Sequence, residues 1–304
     1  MSEAANQTPQ LSYTRSGPRR IGDEYQDAIA LQFAIYMLEH PDRYQWMKVE
    51  ESSFGSLDDV ILKRADSSIE VYQAKFSTNP DPLDDAFTFK KLLDQGTDKS
   101  KPKTSLLQKW FKSFERISEQ QGTPSGNLVT NRLAVDEIDE TLKDQYMQWD
   151  KIPASIQAKF LTQLGNADSI KTFLENFQFK FDQTDLNVLC ERLRDRFDQL
   201  GGSNDGWHSL RQAITQWALR KDIPNQNREI TVLEIREAAL WHRLRGFEQG
   251  FNIPDDFMLP SERWHEELKS RLASGGGSTY VISGPPGVGK STYISNLCSE
   301  FKKD

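Results

Sequence analysis

The first pattern along the chain is an apolar stripe with a helical period at residues 22–39. Its members recur three or four positions apart, which predicts a helix: Tyr25, Ala28, Ile29, Phe33, Tyr36 and Met37. The pair His40-Pro41 ends this helix, because a residue before proline disfavours helical geometry. Much of the helix surface is apolar, so we expect it to pack inside a core. The polar residues before it, 1–20, are predicted to be a flexible arm.

Shorter patterns rich in β-branched and aromatic residues follow this helix and predict strands. They lie at residues 46–50, 59–63, 69–76 and 127–131. Between the third and the fourth strand, helical spacing returns over residues 87–114. Helix, strands, helices and strand in this order predict an α/β domain over residues 21–135.

Only helical patterns are found from about residue 132 to 248. The clearest covers residues 184–200, where Thr184 or Asp185 can cap the helix. Another begins at Thr231, with Glu234 three residues later in the spacing of a capping box. We therefore expect residues 136–250 to form an all-helical connector or support region.

Composition and charge narrow the function classes. The 304 residues leave room for about two domains at the usual ~150 residues each. A net charge of −7 argues against a protein that coats nucleic acid over its whole surface. Lysines nevertheless cluster between residues 90 and 112. Such a cluster is more often a solvated helix face, and the alternative is an edge that contacts phosphates.

The sequence also bears on the compartment. No apolar run approaches the ~18 residues that a membrane span needs. The N-terminus lacks the basic segment and apolar core of a signal peptide. Cys190 and Cys298 lie far apart in helical patterns, as is typical of reduced thiols. We therefore predict a cytoplasmic protein without a membrane partner.

A phosphate-binding motif, G-x-x-x-x-G-K-[ST], lies near the end of the chain between a predicted strand and a predicted helix. Its glycines let backbone N–H groups turn toward phosphate oxygens at the positive end of the helix. The lysine would reach the outer phosphates, and the serine hydroxyl would ligate magnesium. The nucleotide-binding residues are therefore predicted to be Gly284, Gly287, Gly289, Lys290, Ser291 and Thr292.

Hydrolysis of ATP would need more than this motif. A carboxylate on a later strand must hold the metal ion's water, and the chain ends at Asp304. We therefore expect residues 251–304 to be the beginning of a P-loop NTPase domain in a longer protein. ATP would be a cofactor of that longer protein, and we expect no ATP turnover by this part.

Polar side chains mark the ends of two predicted strands. Because side chains alternate along a strand, Gln73 and Lys75 share a face, and Asp59 lies on the opposite face from Asp58. Pairing of the two strands can bring one aspartate beside Gln73 and Lys75. A carboxylate and an amide oxygen suit Mg²⁺, which can activate water and polarise a phosphodiester, while an ammonium can stabilise developing charge. The same residue types also occur by chance at exposed strand ends, so both interpretations stay open on spacing alone.

Five segments together resemble the PD-(D/E)xK nuclease superfamily. They are Gly22-Asp-Glu-Tyr25-Gln26, Glu50-Glu51, Leu57-Asp-Asp-Val60, Val71-Tyr-Gln-Ala-Lys75 and Leu128-Val-Thr-Asn131. The set looks like the double-stranded DNA endonuclease effector of CBASS antiphage systems and is also similar to Mrr-type restriction nucleases. A phosphate loop after a helical block resembles the bacterial antiviral STAND ATPases. These resemblances imply a restriction-endonuclease-like mixed sheet flanked by helices.

The nuclease resemblance also implies roles for individual residues. Asp59 would be the main metal ligand and Gln73 the second ligand. Lys75 would be the catalytic lysine. Gln26 matches a family position that lines the site from the first helix.

Four further residues are less clearly assigned. Asp58 is an alternative to Asp59, and its side chain lies on the opposite face of the strand. Glu50 or Glu51 would either add a carboxylate to the site or lie exposed at the end of a strand. Glu24 stands where the family usually has a hydrophobic residue, a departure in the first-helix motif.

The resemblances imply an Mg²⁺- or Mn²⁺-dependent endonuclease that cuts double-stranded DNA in bacterial antiphage defence. ATP binding and self-association through the NTPase region would gate it, and a missing C-terminal part would sense a phage protein or signal. The main alternative is a P-loop NTPase whose N-terminal domain binds nucleic acid or protein without catalysis. A restriction-type motor enzyme and a protein scaffold are further alternatives.

Overall fold

The computed structural model describes residues 17–78, 80, 84–98, 101–220, 227–240 and 270. Residues 1–16 of the predicted arm lie outside this part of the chain. The predicted phosphate-binding motif also lies outside it.

Helices and strands alternate along the described part of the chain. The helices are α1 (Gly17–Glu39), α2 (Phe89–Leu93), α3 (Leu106–Gln121), α4 (Asp136–Asp139), α5 (Ala154–Leu164), α6 (Ala167–Glu175), α7 (Leu186–Gln199), α8 (Asn204–Ala218) and α9 (Val232–Ala238). The strands are β1 (Tyr44–Val49), β2 (Val60–Arg64), β3 (Ile69–Lys75), β4 (Thr97–Asp98), β5 (Lys101–Pro102), β6 (Ser125–Thr130), β7 (Leu142–Lys143), β8 (Tyr146–Met147) and β9 (Phe177–Lys180). Short 3-10 helices lie at Ser52–Phe54 and Trp149–Lys151.

Within the described residues, seven strands form one open sheet in the order β1-β2-β3-β6-β9-β8-β7. The two parallel pairs, β3 with β6 and β6 with β9, lie at its centre. The other neighbouring pairs are antiparallel. The predicted α/β class, with a mixed sheet flanked by helices, is thereby confirmed at this level.

Helices pack on both faces of the sheet because its central strands are apolar on both faces. Val60, Leu62 and Tyr72 point into a core shared with α1, α7, α8 and α9. Ile61 and Val71, one position out of phase, point into a second core shared with α2, α3, α5 and α6. The strands around Asp59 are therefore enclosed by helices on both sides.

The first predicted elements agree with the structure to within a few residues. α1 ends at Glu39 as predicted but begins at Gly17, so residues 17–20 belong to the helix and not to a flexible arm. Proline is tolerated in the first turn of a helix, which permits Pro18 there. No helix in the described part of the chain is long and apolar enough to cross a membrane.

The prediction of an all-helical block over residues 136–250 is wrong. β7, β8 and β9 lie within it, and β9 pairs with β6 of the preceding block. β9 has only four residues. Its Phe177 continues a helical spacing with Phe173 and Leu174. The sequence pattern of this short strand therefore could not be distinguished from that of the helix before it.

Two helices within this block are confirmed. α7 begins after Asp185, although its side chain forms no capping hydrogen bond. α9 begins after Thr231, and Thr231 and Glu234 form the predicted capping box.

Candidate functional site

Asp59 lies directly before β2, next to the position where Val60 pairs with Tyr72 of β3. This register places Asp59 opposite Gln73, where the alternation of side chains predicted one of the two aspartates. The Asp59 side chain is only 5% exposed, and Gln73 is 3% exposed. A carboxylate this deeply buried needs several hydrogen bonds to be stable.

Three N–H groups satisfy the Asp59 carboxylate. Oδ1 accepts a hydrogen bond from Gln26 Nε2 at 2.8 Å. Oδ2 accepts from the backbone N–H of Ala74 at 2.6 Å and from Gln73 Nε2. Gln26 and Gln73 therefore both contact Asp59, although the three residues come from a helix, a strand and the position just before another strand.

Lys75 ends β3 two residues after Gln73, and its half-buried side chain interacts electrostatically with both aspartates. Burial raises the pKa of Asp59 to about 6, and the Lys75 ammonium is the strongest opposing influence. Burial also raises the pKa of Asp58, and Lys75 again opposes the rise. The structure thus brings Asp59, Gln73 and Lys75 together, and both glutamine amides bond to Asp59 and not to Asp58.

The rotational setting of α1 determines which of its polar residues enters the site. Tyr25 is buried, and its ring lies 4.9 Å from the ring of Phe76, measured between centroids. The next residue, Gln26, is half-buried and reaches Asp59. Glu24 is exposed, so it does not share the position of Gln26.

The structure distinguishes Glu50 from Glu51. Glu50 is half-buried with a left-handed backbone, φ 50°, and its N–H donates to the carbonyl oxygen of Asp59 at 3.1 Å. Burial raises the pKa of Glu50 to about 7, and the charges of Asp59 and Asp58 add to the rise. Glu51 instead forms an ion pair with Arg228 at 3.4 Å. Glu50 is therefore the glutamate that adds a carboxyl group to the surroundings of Asp59.

Asn131 has a role in this region that sequence reasoning did not assign. Its Oδ1 accepts from the backbone N–H of Ser77, and its Nδ2 donates to the carbonyl oxygen of Ser77, both at 2.8 Å. Its Nδ2 also donates to Asp185 at 3.1 Å. This buried amide fixes the chain two residues beyond Lys75. The sequence marked Asn131 only as the last residue of the segment Leu128-Val-Thr-Asn131, which resembles the nuclease superfamily.

The lysine cluster is not one uniform surface. Lys91 donates through Nζ to the carbonyl oxygen of Ala86 at 2.8 Å, which is a structural contact. Lys109 and Lys112 are exposed on α3. Lys99 lies outside the described residues. The phosphate-contacting edge therefore stays a prediction.

The donor groups around Asp59 fit a divalent oxygen-preferring ion. Rotation about the last torsion of Gln73 or Gln26 would exchange its amide nitrogen for oxygen beside the carboxylate. One carboxylate with amide oxygens, and with Glu50 nearby, is a suitable set for Mg²⁺ or Mn²⁺. In the described residues, no group of three or more His, Cys, Asp and Glu is arranged to hold a metal. A site here must therefore use amides as well as acids.

The predicted nucleotide site lies outside the described residues. Gly284, Gly287, Gly289, Lys290, Ser291 and Thr292 therefore stay predictions from the motif. The chain matches no protein-family model and no curated protein. Function must accordingly be inferred from the motifs and from the geometry around Asp59.

Proposed function

We propose that this chain carries a metal-dependent nuclease site that cuts double-stranded DNA. The observation that carries the proposal is the convergence of Gln26, Gln73 and the Ala74 N–H on one buried carboxylate, Asp59. Lys75 lies beside this carboxylate and influences its pKa. Polar groups buried at strand ends are costly, and a catalytic site is a reason to retain them.

The fold is compatible with this proposal. The resembling nuclease superfamily implies a mixed sheet flanked by helices, with the acid and the Gln-x-Lys motif on neighbouring strands. Here Asp59 precedes β2, and Gln73 and Lys75 lie on β3, its antiparallel neighbour. This agreement supports the proposal without identifying the superfamily.

Each residue would have a distinct task. Asp59 and Gln73 would hold Mg²⁺ or Mn²⁺, which when bound would polarise the phosphodiester and lower the pKa of water. Lys75 would orient the attacking water or stabilise the charge that develops on the phosphate. Gln26 would hold the carboxylate of Asp59 in place, and Glu50 would add a second carboxyl group near it.

The biological setting follows from the motifs alone. The phosphate loop at residues 284–292 and the nuclease motifs together resemble antiphage effectors with a STAND ATPase. The site would act when ATP binding and self-association through the NTPase region bring copies together after a phage signal is sensed. An acidic chain with net charge −7 suits a nuclease that stays inactive until it is clustered.

Cleavage of a supercoiled plasmid in Mg²⁺ or Mn²⁺ tests the proposal. We expect nicked and linear products from the wild type, none in EDTA, and a loss of about 100-fold or more in Lys75→Ala and Asp59→Ala. Lys63→Ala, a lysine near the far end of β2, is the matched control and should cleave like the wild type. Equal cleavage by wild type and both site variants would assign the activity to a contaminant.

If the wild type cleaves nothing, a measurement of Mn²⁺ binding decides between an inactive metal site and a non-catalytic domain. If Mn²⁺ binds and Asp59→Ala abolishes the binding, the site is a metal site that awaits activation. If no Mn²⁺ binds near Asp59, the alternative of a non-catalytic domain attached to a P-loop NTPase is favoured.

A further inference from the structure

β1 is the edge strand of the sheet, and a segment from much later in the chain covers its outer side. Met47 of β1 and Ile230 exchange two backbone hydrogen bonds, each of 2.8 Å. Ile230 is 2% exposed and belongs to the core beneath α1. Residues 227–231 therefore lie along the sheet edge, where an unpaired strand would otherwise present its backbone groups.

Arg228 extends this contact to the end of β1. Its Nη2 donates to the carbonyl oxygens of Val49 at 2.9 Å and of Glu50 at 3.2 Å. Its Nη1 lies 3.4 Å from Glu51 Oε2. The guanidinium is planar with several fixed donors, so one side chain can hold three consecutive residues at once. The Arg228 side chain is 17% exposed.

Glu50, the middle of these three residues, has an unusual backbone. Its φ of 50° lies in the left-handed region, which is unfavourable for a non-glycine residue. Surrounding contacts must therefore hold it there. Arg228 donates a hydrogen bond to the Glu50 carbonyl oxygen, and the Glu50 N–H donates one to the carbonyl oxygen of Asp59. The Glu50 backbone is therefore held from both sides.

We propose that Arg228 is a positioning residue that holds the Glu50 carboxyl group beside Asp59, where both can serve one divalent ion. The proposal rests on the proposed metal site and adds Glu50 to it as a second carboxyl group beside Asp59. The positioning residue lies 177 residues after Glu51, on the segment that leads from α8 to α9. The site is thus completed by a part of the chain far from its motifs.

Titration of the full chain with Mn²⁺ by calorimetry tests this role. Loss of a residue that orients a metal ligand typically weakens affinity by about 10- to 100-fold. We expect Arg228→Ala to weaken Mn²⁺ binding by about tenfold and Arg228→Lys to restore part of it, because lysine keeps the charge but not the fork. Arg220→Ala is the matched control: Arg220 donates to Ser52 Oγ at 2.8 Å on the same loop but not to residues 49–51, so affinity should stay within about twofold.

A double-mutant cycle separates positioning from a general structural effect. If Arg228 acts through Glu50, Arg228→Ala should add nothing to the weaker Mn²⁺ binding of Glu50→Gln. An equal further loss in the Glu50→Gln background would overturn the proposal, as would an Arg228→Ala variant that binds Mn²⁺ like the wild type. If Arg228→Ala does not fold by circular dichroism, the same cycle is run with Arg228→Lys.

The failure of this proposal can be told apart from failure of the proposed function. Mn²⁺ binding that Asp59→Asn abolishes but Arg228→Ala leaves unchanged would retain the metal site and remove only the positioning role. A wild type whose Mn²⁺ binding is the same as that of Asp59→Asn would remove both.

Discussion

Asp59 and Glu70 are both buried carboxylates of the same sheet, but they are satisfied in different ways. Glu70 pairs with Arg64 at 2.9 Å and accepts hydrogen bonds from the hydroxyls of Tyr44 and Tyr72 at 3.0 Å. Asp59 is held by two amide side chains and a backbone N–H. Neutral amides compensate a buried charge less than a guanidinium does, and they can turn to present oxygen. This difference is why Asp59, and not Glu70, is the candidate ligand.

The raised pKa of Asp59 predicts how stability depends on pH without metal. Below about pH 4 the carboxyl group is protonated in both the folded and the unfolded state. Between about pH 4 and 6 the unfolded state ionises first, so the folded state loses stability as pH rises. In EDTA, the free energy of unfolding of the wild type relative to Asp59→Asn should therefore fall by on the order of 2–3 kcal/mol between pH 4 and 7.

Urea unfolding at several pH values measures this difference. Asp66 is the control. Hydrogen bonds from Ser68 lower its pKa, so its contribution to the free energy of unfolding changes with pH in the opposite direction. The wild type should gain stability relative to Asp66→Asn as pH rises. A wild type that does not lose stability relative to Asp59→Asn over this range would contradict the assigned burial of the carboxylate.

Much of the site could be predicted from single residues and their spacing. Alternation along the strands predicted that one of the two aspartates would lie beside Gln73 and Lys75, and the family resemblance favoured Asp59 over Asp58. The choice of Glu50 over Glu51 could not be made, because it depends on a left-handed backbone and on Arg228. Contacts such as those of Arg228 and Asn131 join residues far apart in the chain, and one sequence carries no local pattern for them.

Among the elements, the parallel pair of β6 and β9 joins the two halves of the sheet. Gly126 of β6 pairs with Phe177 of β9. A Cβ at position 126 would lie 2.4 Å from Cδ2 of Phe177, which is fully buried. Glycine therefore permits the close approach of these strands.

Gly126→Ala should destabilise the protein by about 1–3 kcal/mol, the usual cost of overpacking a core. Gly22→Ala is the matched control, because a Cβ there meets nothing within 4 Å and lies inside α1. That variant should gain about 0.5–1 kcal/mol from the lower entropy of its unfolded chain. Urea unfolding compares the two, and a neutral Gly126→Ala would show that β9 does not pack as described.

Element prediction succeeded where the apolar period extended over enough residues. The helix at 22–39 and the strands near β1, β2, β3 and β6 were recognised because alternation or helical spacing persisted over five residues or more. β7, β8 and β9 have two to four residues each, too few to define a period. Their pairing is determined by the sheet that they join and not by their own sequence.

For the whole molecule, the sheet crosses the predicted boundary at residue 135. β9 lies beside β6, and α7, α8 and α9 pack against α1 in the core behind Val60 and Tyr72. The block after residue 135 therefore helps to build the surroundings of Asp59. Arg228 is one example, since it contacts the end of β1 and the loop after it from the segment before α9.

The central claim is that Asp59 and Gln73 form a site for a divalent ion. Anomalous diffraction from crystals grown with Mn²⁺ tests it most directly, with Asp59→Asn crystals as the control. We predict an anomalous peak at coordination distance from the Asp59 carboxylate, with an amide oxygen of Gln73 turned toward it, and no such peak in the variant. Crystals that bind Mn²⁺ elsewhere while Asp59 keeps all three of its N–H partners would contradict the claim.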